Sequence, residues 1–310
     1  TLPIVSSKRG VYVGDVSIRK SISKRLRNLS LSEVRTYTLT TKEKANMFNY
    51  NQKEVLALPN PMSMDKGFVR LSILPALIDT YEYNKSRKVK NINIYEIAKT
   101  YDKSFTEDHK VSILMSGSYI SNTVNNIDLK VDFYLLKGVV ENLLNYLGFK
   151  NRYSFEKTEV KELHPGVSAK VLIDRQEVGI IGKIHPSIIK DEVYICELSM
   201  TKLYEFKVKP VKFKEASKFP EIKKDIAFIV NNTTTNKEVE EAIKKAGGRL
   251  LDKVEIFDIY KDIEENKKSM AYELTFKDET KTLNDEEVMK VFNTIITEVE
   301  NNLNAKLRSN

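Results

Sequence analysis

The stretch "LLDKVEIFDIY", Leu250 to Tyr260, has the apolar character of a β-strand with one exception near its end. A carboxylate, Asp258, lies between the apolar residues Phe257 and Ile259. Successive side chains of a strand point to opposite faces, so Asp258 and Tyr260 are expected to share a face. If Phe257 and Ile259 face the core, Asp258 and Tyr260 are predicted to lie on the side that the core does not use.

The residues around this strand predict a complete domain over 217–310. Strand and helix patterns alternate in the order strand, helix, strand, strand, helix, strand, which is the order of a split βαβ, or ferredoxin-like, fold. The segments that carry this order are 225–230, 236–246, 251–260, 268–276, a helix that Asn284 caps, and 305–308.

In a ferredoxin-like fold both helices cover the same face of the sheet. Alternation along the strands assigns Phe257 and Ile259 to this covered face, and Ala227 joins Asp258 and Tyr260 on the open face. The other residues predicted on the covered face are Ile226, Phe228, Val230, Met270, Tyr272, Leu274 and Phe276.

The residues before this domain have a different organisation. A chain of 310 residues is long for one domain, and two are expected. Residues 1–208 mix strands and helices without the regular alternation of a doubly wound sheet, which favours an α+β class. The Lys-rich stretch 205–224 contains two prolines and no helical stripe, so a linker is predicted at 209–216.

Residues 17–29 predict an amphipathic helix. Apolar side chains recur at Ile18, Ile22, Leu26 and Leu29, in steps of four, four and three, and basic residues cover the rest. Two interpretations stay open at this point. The helix either lies on the surface with a solvated basic face or contributes its stripe to an interface with another subunit.

The composition predicts a globular cytosolic protein. Hydrophobic residues make up 41% and charged residues 30%, and no apolar run approaches the ~18 residues that span a bilayer, so neither disorder nor a membrane is expected. Cys196 is the single cysteine, which fits a reducing compartment. The start at Thr1, without an initiator Met, suggests a piece of a longer chain.

The net charge of +8 is unevenly divided. Residues 1–216 hold 35 basic and 24 acidic residues, whereas 217–310 hold 16 and 19. The basic surplus therefore belongs to the first part of the chain, and the second part is acidic. A basic surplus favours a polyanionic partner.

The sequence contains no convincing catalytic motif. It lacks a phosphate-binding loop and a nucleophile elbow, and its three His residues do not have metal-ligand spacing. "GIIGKIHP" (179–186) lies inside a strand pattern, where its glycines predict close packing. "HPG" (164–166) is predicted to form a turn. We therefore predict no catalytic residue and no metal site in this chain.

Several segments, in this order and at this spacing, resemble the C-terminal half of the β subunit of bacterial phenylalanyl-tRNA synthetases. The resemblance covers nearly all of the chain. The segments that carry it are "EVRTYTLTTKEKANMF" (33–48), "LPNPMSMDKGFVRLSILPALIDTYEYN" (58–84), "NIYEIAKTY" (93–101), "HPGVSAKVLIDRQEVGIIGKIHP" (164–186), "FPEIKKDIAFIV" (219–230), "AGGRLLDKVEIFDIY" (246–260), "KKSMAYELTF" (267–276) and "KTLNDEEV" (281–288).

The resemblance implies that residues 1–208 form a degenerate copy of the antiparallel-sheet class II synthetase domain. It further implies that the stripe on 17–29 pairs with the catalytic α subunit of an α₂β₂ heterotetramer. ATP and magnesium would then belong to the assembled enzyme and not to this segment. The strand "INIYEIAKTY" has no Arg of the kind that clamps ATP, and Arg70 lies in an element that resembles a non-catalytic one. The segment alone is therefore expected to be inactive.

The resemblance also implies that 217–310 form a ferredoxin-fold anticodon-binding domain. Its open face, with a small residue, a carboxylate and a ring, suits bases that are flipped out of a stack. Ala227, Asp258 and Tyr260 match the positions that meet the anticodon. The acidic balance of this part is a difficulty for RNA binding. The cations near its strand ends that could reach phosphates are Lys223, Lys224, Lys261, Lys267 and Lys268.

The predicted function is therefore a non-catalytic β-subunit segment that pairs with α and binds the anticodon of phenylalanine tRNA, in the cytoplasm and without a DNA partner. An active class II ligase domain is one alternative, which the missing arginines disfavour. A ferredoxin-like regulatory module that binds a small molecule is another. For Asp258 and Tyr260 the plain alternative is that they only end a strand and line its rim.

Overall fold

The structure, a computed structural model, describes residues 10–208, 213, 215, 218–261 and 266–308. The chain forms two compact units, Thr1–Val211 and Lys212–Asn310. The division falls inside the predicted linker 209–216, most of which lies outside the described residues. Each unit is described by itself below.

The first unit is built on a seven-stranded sheet with the strand order β1-β4-β5-β11-β10-β9-β8. Its neighbouring strands are antiparallel except for β1 and β4, which confirms the predicted α+β class with an antiparallel sheet. The helices described in this unit are α1 (Gly14–Asn28), α2 (Lys42–Asn46), α3 (Leu74–Ser86), α4 (Phe133–Tyr146) and α5 (Met200–Glu205). The strands are β1 (Ser32–Glu33), β2 (Leu39–Thr40), β3 (Phe68–Val69), β4 (Ile92–Tyr101), β5 (Glu107–Ser116), β6 (Ser118–Asn122), β7 (Ile127–Lys130), β8 (Tyr153–Lys157), β9 (Leu163–Ile173), β10 (Gln176–Ile184) and β11 (Val193–Ser199).

Buried apolar side chains cover both faces of this sheet. Neighbouring residues of a strand point to opposite faces, so Ile113 joins the cluster that contains α1 and α4 while Leu114 joins the cluster that contains α3. The sheet is therefore the centre of the first unit and not one of its surfaces.

The helix predicted at 17–29 is present as α1, but its apolar stripe faces its own chain. Ile22 and Leu26 have no exposed surface, and both lie in the cluster that α4 shares. Leu29 packs against the same cluster, and Ile18 is 36% exposed. The predicted subunit interface is therefore wrong for Ile22 and Leu26, because an amphipathic pattern does not tell whether the chain's own sheet or a partner covers the stripe. Ile18 alone stays available to a partner.

The two glycines of "GIIGKIHP" lie in β10 and confirm the prediction of close packing. A Cβ added at Gly179 would lie 2.0 Å from the backbone oxygen of Glu197. The "HPG" segment is not a separate turn, because it lies within β9 opposite an irregularity in the register of β10. There the backbone N–H of Gly166 donates to Nδ1 of His164 (3.0 Å).

The second unit confirms the predicted ferredoxin-like order. Its elements are β12 (Ile222–Asn231), α6 (Asn236–Gly247), β13 (Leu251–Lys261), β14 (Lys267–Phe276), α7 (Asp285–Leu303) and β15 (Lys306–Leu307). They form an antiparallel four-stranded sheet in the order β13-β14-β12-β15. Asn284 caps α7 as predicted, because its side chain accepts from the backbone N–H of Glu287 (2.9 Å).

Both helices of this unit pack against one face of its sheet. Val239 and Ile243 of α6 and Ile295 of α7 are fully buried, in a cluster with Phe228 and Tyr272 of the sheet. The opposite face carries no described helix. In the described part of the chain, no helix is long and apolar enough to cross a membrane.

Candidate nucleic-acid interface

A β-bulge at Phe257 decides which side chains of β13 reach the open face. Ile256 pairs with Tyr272 and Asp258 pairs with Ala271, so Phe257 is an extra residue without a partner in the ladder. Tyr272 is fully buried, and Ile256 packs against the same core. Without the extra residue, Asp258 would point to the core side that Ile256 uses. The bulge turns it to the open face.

This corrects the prediction for Phe257, which is 60% exposed and not on the covered face. Ile259 is in register with buried Met270, as predicted for the covered face, yet it is 48% exposed. The packing of β13 against the core is made by Leu251, Val254 and Ile256 instead. A strict alternation could not anticipate the extra residue that separates the two halves of the strand.

The open face brings together the residues that were predicted to share it. Asp258 and Ala227 are both direct cross-strand partners of Ala271, so the carboxylate and two small side chains form one row. Tyr260 pairs with Ser269 in the next row and is 53% exposed. The result is a shallow surface with small side chains in its centre, a carboxylate and an exposed ring.

Two cations on the same face were missed by the sequence analysis. Lys306 of β15 pairs with Ile229, and the backbone N–H of Arg308 donates to the backbone oxygen of Ala227 (2.9 Å). The Nη1 atom of Arg308 also donates to the hydroxyl of Ser269 (3.5 Å). Lys306 and Arg308 could have been predicted from the sequence, because a ferredoxin-like strand order places the last strand beside the first. Residues two apart on that strand then share its face.

Three of the five lysines predicted to contact phosphates lie beside Tyr260. Lys261 and Lys268 are cross-strand partners at the end of β13, and Lys267 begins β14. Lys268 donates to the backbone oxygen of Asn232 (3.1 Å). Burial and then the charge of Lys261 lower the pKa of Lys268, as expected where positive charges accumulate.

The other two predicted lysines are at the opposite end of the sheet. Lys223 forms an ion pair with Glu273 (2.7 Å), whose carboxylate raises the pKa of Lys223. Lys224 lies 3.5 Å from Asp285 at the start of α7. Both lysines are therefore neutralised within the unit, and the structure does not place them with Tyr260.

An acidic row separates Lys223 from the small central residues. Glu255 and Asp225 are both cross-strand partners of Glu273, on the same face as Asp258. A phosphate backbone would be repelled by this row. An RNA strand on the open face is therefore confined to its other end, where Lys267, Lys306 and Arg308 lie on that face. Lys261 and Lys268 are at the same end of the sheet but in register with Val230, on the side that the helices cover.

The buried charges of the first unit's sheet pair with one another. Arg70 donates to Glu96 (3.0 Å) and to the hydroxyl of Thr36 (2.6 Å). Lys110 forms an ion pair with Glu197 (2.8 Å). Burial alone would raise the pKa of Glu197, but Lys110 and the surrounding donors outweigh it and lower this pKa.

A cavity of about 260 Å³ lies beside this second ion pair. Its cations are also engaged, because Lys53 pairs with Asp102 (3.1 Å) and Lys202 donates to the backbone oxygen of Glu177 (2.8 Å). These residues do not fit a nucleoside triphosphate, which needs cations that are free to meet its phosphates. In the described residues, no group of three or more His, Cys, Asp or Glu is arranged to hold a metal ion.

Comparisons with known proteins match both units. A family profile described as "Phenylalanyl tRNA synthetase beta chain CLM domain" matches residues 1–200, and one described as "Ferredoxin-fold anticodon binding domain" matches residues 217–308. The chain is 33% identical over 319 residues to the phenylalanine–tRNA ligase beta subunit of Listeria monocytogenes and 32% identical over 319 residues to that of Bacillus subtilis. Each alignment covers 99% of this chain and 40% of the relative, so the chain spans about 40% of the length of these relatives.

Similarity to solved structures is more distant. A pyrrolysyl-tRNA synthetase from Desulfitobacterium hafniense aligns with a TM-score of 0.46 and 16% identity, over 60% of this chain and 66% of that chain.

Proposed function

The chain belongs to the phenylalanyl-tRNA synthetase β-chain family, and from this premise we propose that it is a non-catalytic part of a phenylalanine–tRNA ligase that binds the anticodon of phenylalanine tRNA. The observation that carries the proposal is the row of Asp258, Ala271 and Ala227 beside the exposed ring of Tyr260.

Each part of this surface has a chemical role in the proposal. The ring of Tyr260 stacks on an unpaired base, and Asp258 accepts a hydrogen bond from an exocyclic amine. Ala227 and Ala271 leave room for a base to approach the sheet. Phosphates are met by Lys306 of β15 and by Arg308, which follows it, and these cations position the RNA without reading its sequence.

The acidic balance of 217–310 is not an obstacle to this proposal, because the charges are segregated. Glu255, Glu273 and Asp225 lie in one row, away from Lys306 and Arg308. Local charge at the site, and not the net charge of the unit, decides where a polyanion binds.

We further propose that the first unit supports assembly and does not activate the amino acid. The paired charges around Arg70 and Glu197 favour this role. Its partner is the catalytic α subunit of an α₂β₂ ligase in the cytoplasm, where ATP and magnesium are used. The surface that we assign to this pairing is made of the exposed apolar residues just before α1 and in its first turns, Val11, Tyr12, Val13 and Ile18.

The test is tRNA binding by the 310-residue chain, with cognate phenylalanine tRNA and with tRNAs that carry one substituted anticodon base. Asp258→Ala should weaken cognate binding by about 1–3 kcal/mol and relax discrimination at one anticodon base. Glu255→Ala is the matched control, because it removes a carboxylate from the same face in the acidic row. Equal losses on cognate and substituted tRNA would contradict anticodon reading.

Calorimetry separates this proposal from the regulatory alternative. If the second unit were a regulatory module, the isolated chain should bind phenylalanine. We expect heat from cognate tRNA and none from the amino acid. The opposite result would favour the regulatory module.

A further inference from the structure

The proposed anticodon site lies in the second unit, so it does not account for the basic surplus of the first part of the chain. In the structure, some of this surplus collects at the end of α3 and in the turn that follows it. We define the basic turn as residues 85–90, whose cations are Lys85, Arg87, Lys88 and Lys90. All four side chains are exposed.

The backbone of the basic turn is held in one conformation. The backbone N–H of Lys88 donates to the oxygen of Lys85 (2.8 Å), and that of Val89 donates to the oxygen of Asn84 (3.2 Å). A Cβ added at Gly117 would lie 2.3 Å from the backbone oxygen of Lys90, so the turn packs closely against the start of β6. A charged surface of this kind is formed before a ligand arrives, which lowers the entropy lost on binding.

The turn borders an open groove of about 600 Å³ whose lining includes Lys85, Lys88, Lys90 and Lys130. Two of these cations have acidic partners, since Lys85 pairs with Asp191 and Lys130 pairs with Asp128 (2.7 Å). Within the described part of the chain, Lys88 and Lys90 have no ion pair. They are the cations of this groove that remain available to a ligand.

Lys88 also has a backbone conformation that does not suit a lysine. Its φ of +66° is in the left-handed region, just after the end of α3, where glycine is usual because it has no Cβ. The turn would form more easily with glycine at this position. Replacement of Lys88 by glycine is therefore expected to leave the turn intact.

Arg87 adds a flat surface next to these lysines. Its guanidinium carbon lies 3.4 Å from the ring centroid of Tyr83, and Nη1 donates to the backbone oxygen of Tyr83 (3.0 Å). Both side chains are exposed. An exposed stack of an arginine on a tyrosine is the kind of platform on which an unpaired base also stacks.

We propose that the basic turn is a second RNA-contact surface, in which Lys88 and Lys90 bind phosphates of the tRNA backbone. The proposed function enters this inference only in identifying the RNA as phenylalanine tRNA. An RNA is favoured over an acidic protein because the two unpaired lysines lie next to the exposed stack of Arg87 on Tyr83, which suits a phosphate backbone with an unpaired base.

The experiment measures binding of phenylalanine tRNA to the full 310-residue chain at several KCl concentrations. The test variant is Lys88→Gly with Lys90→Gln. The slope of log Kobs against log [KCl] should become shallower by about 2, or about 1 for each lysine. Cognate and anticodon-substituted tRNAs should lose affinity equally, because phosphate contacts do not read sequence. The melting temperature should be unchanged or higher, since glycine suits the left-handed position of residue 88.

The matched control is Lys157→Gln with Lys161→Gln. Both lysines are exposed in the same unit, and neither has an ion pair in the described residues. This variant should keep the original salt slope. An unchanged slope in the test variant, or an equal change in the control, would overturn the proposal.

Two further outcomes are informative. If poly-glutamate binding is lost while tRNA affinity stays intact, the turn binds an acidic protein and the proposal fails. Failure here is separable from failure of anticodon reading, because Asp258→Ala changes discrimination between tRNAs and not the salt slope. A chain that binds no tRNA under any condition would overturn both proposals.

Discussion

The Nη1 atom of Arg308 lies 3.5 Å from the hydroxyl oxygen of Ser269, on the sheet face that α6 and α7 leave open. Ser269 is buried, although no helix among the described residues covers this face of the sheet. The side chain of Arg308 reaches over to its hydroxyl. The guanidinium keeps further donors for an anion. This contact places the guanidinium in the row of Ser269 and Tyr260, while the backbone of Arg308 pairs with Ala227 in the row of Asp258.

Arg308→Gln should therefore weaken binding of every tRNA by a similar factor and make the salt slope shallower by about 1. Titration at several KCl concentrations measures this. Arg249→Gln is the control, since Arg249 is exposed in the same unit and pairs with Asp278 (3.2 Å). A salt slope that does not change would remove Arg308 from the interface.

Tyr260→Ala should weaken cognate tRNA binding by roughly 1–3 kcal/mol, because a base loses the ring on which it stacks. Tyr260→Phe should keep most of the affinity, because the ring remains. Tyr134→Ala, which removes a tyrosine that is 76% exposed in the first unit, should have no effect. If Tyr260→Ala instead lowers the melting temperature by many degrees, the ring supports the sheet and not the RNA.

Deletion of Phe257 should be tolerated, although deletions inside strands usually reverse the faces of all following residues. Ile256 would then be followed directly by Asp258, and their pairings with Tyr272 and Ala271 could both persist. We expect destabilisation of about 1 kcal/mol, which shifts the melting temperature by roughly 4–8 °C in a domain of this size.

Deletion of Ala271 in β14 is the control, because every residue of β14 around this position has a partner in the sheet. It should prevent cooperative unfolding of the second unit. Circular dichroism during thermal unfolding distinguishes the two variants. Loss of the transition after deletion of Phe257 would show that the bulge itself is needed for folding.

Ile22→Asp should unfold the first unit even without a partner, because it places a carboxylate in a site with no exposed surface. Ile18→Asp should leave the melting temperature nearly unchanged, since Ile18 is partly exposed. Co-purification with the α subunit then tests the assigned pairing surface with a folded variant. A folded Ile22→Asp chain would contradict the position of α1 described here.

Arg70→Met should destabilise the first unit by about 3–5 kcal/mol, because Glu96 keeps a buried charge without its partner. The double variant Arg70→Met with Glu96→Leu should recover most of this loss, as measured by urea unfolding. Variants that fold should keep ATP–pyrophosphate exchange in the assembled enzyme. A large loss of exchange in the folded double variant would give Arg70 a catalytic role.

The sequence predicted the second unit better than the first, for a physical reason. The elements of the second unit have local signals, such as the cap at Asn284 and the alternation in β12. The strand β11 of the first unit has no alternation, because both of its faces are buried, and Glu197 is concealed within it. Its role became visible only with Lys110, which lies on the neighbouring strand β5 but far away in the sequence.

The candidate site shows the same division. The shared face of Asp258 and Tyr260 follows from their spacing. The position of Ala227 relative to Asp258 depends on the register of β12 with β14 and of β13 with β14. The position of Arg308 depends on β15 being the strand that pairs with β12 at the edge of the sheet. Phe257 was wrongly assigned because a bulge is fixed by tertiary packing and not by the local pattern.

The bulge at Phe257 also divides β13 into a part whose residues are constrained by folding and a part whose residues are constrained by ligand binding. Changes before it, at Val254 or Ile256, alter core packing and are limited by folding. Changes after it, at Asp258 or Tyr260, meet no core residue and are limited only by the ligand. Mutational tolerance should therefore rise abruptly within β13, and recognition can diverge among descendants of this chain while the scaffold is inherited unchanged.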